Sequence, residues 1–94
     1  MGLDTVEIVM AVEVAFNINM PESGLAMARV GDLNAFVLEK LSSRNWERDP
    51  NDPGSKWSEE EVWLKLRSVI AQVLSVPEER ITKETRFVED LGAG

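Results

Sequence analysis

The chain contains no cysteine and no histidine. Without cysteine there is no disulfide framework, no thiolate ligand and no thiol nucleophile. Without histidine, the commonest metal ligand and the usual general base at neutral pH are gone. No apolar run approaches the ~20 residues of a membrane span, and no signal-peptide pattern opens the chain. Basic residues are few, ten against seventeen acidic ones, for a net charge of −7. An enzyme built from this set would rely on Asp and Glu alone, with no Gly-rich phosphate loop and no metal-ligand cluster. The expectation is therefore a non-catalytic protein that holds no metal.

The acidic surface repels phosphate backbones and anionic lipid, which argues against nucleic-acid and membrane partners. It favours partners that present Lys or Arg patches, although an acid excess also serves solubility alone. At 94 residues, 44% of them hydrophobic, the chain is long enough for one domain with a modest core. The acidic start and the lack of cysteine fit a cytoplasmic setting.

Leu3 to Phe16 reads as a helix with apolar residues on two faces. Thr5, Ile8, Val9, Val12 and Phe16 form one stripe at the spacing of a buried face. Leu3, Val6, Glu7, Met10, Glu13 and Val14 form the other, where apolar side chains alternate with carboxylates. A loop to Pro21 follows, then a short helix weakened by Gly24. A second helix spans about 31–41, with Leu33, Phe36, Val37 and Leu41 on one face. Residues 42–56 hold two prolines and a glycine with no apolar period, and read as a flexible linker. Trp46 is its one large apolar residue and is placed to pack back on the helices.

The third helix, from Trp57 to Leu74, opens with a capping-box pattern, Ser58 with Glu61, and a hydrophobic staple, Trp57 with Val62. Its stripe is Val62, Leu66, Val69, Ile70 and Val73. Beyond Pro77, Ile81, Phe87, Val88 and Leu91 are spaced as anchors for a long tethered loop. The predicted architecture is an all-α, small antiparallel helical bundle of three main helices and one short one.

The strings Phe87-Val88-Glu89-Asp90-Leu91-Gly92-Ala93 and Leu3-Asp4-Thr5-Val6-Glu7 with Met10 resemble those of bacterial-type acyl carrier proteins. Together with Phe16, Pro21 and Val30-Gly31-Asp32-Leu33, the likeness covers most of the chain outside 42–56. The halves stand in reverse order. Residues 57–94 resemble the family's N-terminal half and residues 1–41 its C-terminal half, so the chain reads as a single acyl-carrier-like domain, circularly permuted. A fifteen-residue flexible linker spans roughly 20 Å, enough for the join. Gly54-Ser55 within it gives the permutation an engineered look; a natural fragment of two tandem carriers is the alternative.

The resemblance implies a carrier of fatty-acid or polyketide biosynthesis. Such proteins hold acyl groups as thioesters on 4′-phosphopantetheine and present them to synthase enzymes. The serine that bears this group sits just before the family's Leu-Asp-Thr-Val-Glu string. Here Gly2 stands in that place and has no hydroxyl to esterify, so no prosthetic group is expected on this chain. The resemblance further implies that Leu3, Asp4, Val6, Glu7, Met10, Glu13, Glu89 and Asp90 form a docking surface. Its partners would be basic patches of synthase enzymes and of phosphopantetheinyl transferase. A monomer is expected, with a domain-swapped dimer as the alternative state. The competing reading is a plain helical protein–protein interaction module whose acidic face is only solvated.

Overall fold

The computed structural model describes residues 3–19, 29–49, 51–87 and 89–92, without the side chains of residues 3–5 and 53. Three helices carry the fold: α1 (Leu3–Phe16), α2 (Val30–Ser43) and α3 (Glu59–Leu74). Between α2 and α3 lies an antiparallel hairpin, β1 (Glu47–Asp49) with β2 (Asp52–Lys56). A single 3-10 turn, Glu78–Arg80, follows α3.

Helix α3 sits centrally. It packs against both α1 and α2, which approach one another much less among the described elements. The core is assembled from Ile8, Val12 and Phe16 of α1, Val30, Leu33, Val37 and Leu41 of α2, and Val62, Leu66 and Ile70 of α3. These are i, i+3/i+4 and i+7/i+8 positions, so each helix turns one stripe inward as the periodicity predicts. At one end of the molecule the Phe16 and Trp57 rings meet with centroids 5.0 Å apart. There too the Arg44 guanidinium donates to the carbonyls of Phe16 and Asn17. At the other end, the amides of Val30 and Gly31 donate to the carbonyls of Thr85 and Lys83, at 2.9 and 2.8 Å. Helices α1 and α2 thus finish where α3 begins, and α3 runs antiparallel to both.

All three helices stop in the same way. Each ends on a non-glycine residue in the left-handed region: Asn17 (φ 52°), Asn45 (φ 60°) and Ser75 (φ 56°). The next amide then reaches back five residues: Ile18 to the Glu13 carbonyl, Trp46 to Leu41 and Val76 to Ala71. This is the Schellman closure, which satisfies carbonyls that the helix itself leaves open. At the start of α3 the capping box forms as the spacing predicts. Glu61 N–H donates to Ser58 Oγ at 3.2 Å and Ser58 N–H to Glu61 Oε1 at 3.2 Å.

Two expectations are corrected. The fold is not purely α, and the segment 42–56 is not a random-coil linker. Residues 42 and 43 complete α2, and Glu47–Asp49 pairs with Asp52–Lys56 as the hairpin. Its chemistry explains it. Asn51 N–H donates to Asp49 Oδ1 at 2.9 Å, an Asx turn, and Glu47 faces the oppositely charged Lys56 across the ladder. Trp57 N–H donates to the Trp46 carbonyl at 2.8 Å and closes the base. Arg48 stacks 4.3 Å over the Trp57 ring while its Nη1 pairs with Glu61 at 2.9 Å. Trp46 does pack against the core, half-buried. Of the loop anchors, Ile81 and Phe87 are buried and Leu91 packs, half-buried, against the core; Val88 lies outside the described residues, as does the short helix expected over 21–28.

Candidate functional site

The outward face of α1 is where the sequence places a docking surface, and the helix does carry two faces. Ile8, Val12 and Phe16 are 0–2% exposed, whereas Val6 is 40%, Met10 59% and Val14 84% exposed. Val6, Met10 and Val14 recur every four residues and so form one ridge along the helix. Glu7 stands exposed beside it, and Glu13 is half-buried. An apolar ridge presented to water costs solvation that a core position would recover.

The side chains of Leu3 and Asp4 lie outside the described residues, and so does Gly2.

Glu89 and Asp90 occupy a different environment from Glu7. Both pair with Arg86 of their own loop. The Arg86 N–H donates to Asp90 Oδ2 at 2.8 Å, and its guanidinium reaches the same carboxylate at 3.3 Å. These contacts, the backbone amide first, hold the Asp90 carboxyl below the usual carboxylate range. The side-chain hydrogen bond to Asp90 raises the Arg86 guanidinium in turn. The loop acids are thus tied into a clasp with a cation, while Glu7 stands on the open face of α1.

One feature of the surface escapes the sequence reading. Met10 and Val14 of α1 share a mostly apolar groove with Lys65, Val69, Gln72 and Val73 of α3. Val69 and Val73 fall on the predicted inner stripe of α3, but at its margin, where they are half-buried. The exposed ridge of α1 therefore continues onto α3 and has a lysine on its far wall. Only the packing of α1 on α3 could reveal it, because no helical period relates residues fifty positions apart. Ile8, Val12 and Ile70 face the space between the helices, each at most 2% exposed.

Among the described residues no helix is long and apolar enough to cross a membrane, and no group of three acidic side chains converges as a metal site.

Comparison with curated proteins finds a partial similarity to an acyl carrier protein of Thermotoga maritima, 42% identical over 36 residues. The matched stretch covers 38% of this chain and 44% of that protein. The chain thus spans less than half the length of the relative. No family model matches the chain, and no solved structure matches it.

Proposed function

We propose that the chain is a non-catalytic, acyl-carrier-like module whose α1 is a recognition helix for enzymes of fatty-acid or polyketide biosynthesis. The observation that carries this is the exposed Val6–Met10–Val14 ridge with Glu7 at its side. It stands on the helix that the family resemblance assigns to recognition. The short match to an acyl carrier protein supports the same class. An apolar ridge beside carboxylates suits a partner surface with an apolar patch ringed by Lys or Arg. Leu3, Asp4, Glu13, Glu89 and Asp90 belong to the proposed surface through the resemblance. The Arg86 clasp makes the two loop acids weaker contributors than Glu7.

The reading includes a circularly permuted order of the two halves, joined through the hairpin. That join is short because α2 finishes beside the start of α3. It also includes the loss of the prosthetic group: Gly2 precedes the Leu-Asp-Thr-Val-Glu string, so no phosphodiester with 4′-phosphopantetheine forms there. Incubation with coenzyme A and a phosphopantetheinyl transferase, followed by intact-mass measurement, tests this. The mass stays unchanged if the reading holds, and a gain of one phosphopantetheine overturns it. A plain interaction module would give the same unchanged mass, and differs by having no affinity for the transferase or for a ketoacyl synthase.

A further inference from the structure

The geometry points to exchange of α3 between two copies of this chain, with the segment 44–57 as hinge and a second copy as the partner. Four observations carry it, and none depends on the proposed function.

The first is the division of the core. Helices α1 and α2 meet mainly through α3 and hardly through each other, yet α3 belongs to the other half of the chain. The inward stripes of α1 and α2, Ile8, Val12 and Phe16 with Leu33, Val37 and Leu41, together form a seat that α3 fills among the described helices. The loop behind α3 travels with it, since its carbonyls at Lys83 and Thr85 cap the start of α2. An α3 from a second copy restores every one of these contacts, so exchange costs no burial.

The remaining observations lie in the hinge. Asn45 closes α2 as a left-handed residue, which asparagine tolerates. Trp46 follows at φ 61°, so two left-handed residues stand in succession. For a bulky side chain that conformation is strained, and the ends of α1 and α3 have no such second residue. Next, Asp49 faces Asp52 directly across the ladder, a like-charge pair that destabilises the hairpin. Finally, the sequence between Asp49 and Asp52 is Pro50-Asn51. Proline cannot take the positive φ that the favoured two-residue hairpin turns require at that place. A short hinge that strains when folded back and relaxes when straightened favours swapping.

The test uses the absence of cysteine. Met10→Cys and Val73→Cys, which line one groove, are made on separate chains, mixed, unfolded together and refolded at high concentration. Exchange brings α1 of one chain against α3 of the other. The expected result is a disulfide between the two different chains, well above that in a mixture never unfolded. The double variant on one chain, refolded dilute, reports that the two positions reach each other. Light scattering on the unmodified chain refolded at high concentration should show a dimer. Lengthening the loop after Asn51 by about six Gly and Ser residues should lower that dimer roughly tenfold, and Asp52→Lys should lower it too. A monomer mass at every concentration overturns the inference. So does a dimer that forms no mixed disulfide while the double variant closes its own, or one indifferent to loop length.

Discussion

Gly31 shows how one residue holds two segments together. Its N–H donates to the Lys83 carbonyl at 2.8 Å, and a Cβ built there would lie 2.6 Å from the same oxygen. Two effects oppose each other when it is changed to alanine. Helix propensity gains about 1 kcal/mol, while overpacking costs about 1–3 kcal/mol. The clash wins because the opposing atom is a backbone carbonyl that the Gly31 amide itself draws close. Gly31→Ala is therefore expected to lower the urea midpoint and to speed hydrogen exchange at residues 30 and 31. Unchanged exchange at both amides would contradict the contact. Ile70, fully buried on α3, gives the contrasting case: Ile70→Ala should cost about 2–5 kcal/mol in the same titration by leaving a cavity. Periodicity alone places Ile70 in the core. The role of Gly31 was not legible, because the approach of Lys83 joins residues that only the tertiary fold brings together.

At the scale of elements, α3 owes its definition to its first turn. Ser58 and Glu61 exchange hydrogen bonds with each other's backbone, and Glu59 and Glu60 add charge where the helix dipole welcomes it. Ser58→Ala should destabilise the protein by about 1 kcal/mol. The Ser58 side-chain hydroxyl is also the leading cause that holds the Glu61 carboxyl below its ordinary value, with Arg48 and the Ser58 backbone amide helping. The sign of the pH effect follows. A carboxyl depressed in the folded state contributes stability that is complete above the ordinary carboxylate range and is lost as pH falls through it. Stability of the wild type should therefore fall more steeply below that range than stability of Ser58→Ala, measured as urea midpoints against pH. Parallel curves would exclude the cap as the source. The capping box, the three main helices and the inner stripes could all be read from residue spacing. The hairpin could not, because 42–56 has the composition of a linker. Its folding depends on Trp57, Glu61 and the end of α2, which supply stacking, an ion pair and a closing hydrogen bond from outside the segment.

Taken as a whole, the molecule separates what holds it from what it shows to others. The inner face of α1 is consumed by α3, and its outer face remains as an apolar ridge that Glu7 flanks and the α3 groove extends. The two-faced character of α1 was legible in the sequence from Leu3 to Phe16, since carboxylates interrupt one stripe and not the other. The groove and the Arg86 clasp were not, since one needs the packing of α1 on α3 and the other the fold of the loop. The most direct test of the central claim is the affinity of a phosphopantetheinyl transferase for this chain, measured by calorimetry at low salt. Binding without modification is expected, weakened as salt rises and reduced about tenfold or more by Glu7→Lys or Met10→Asp. No binding by the wild type, or equal binding by all three chains, would contradict a recognition role for α1.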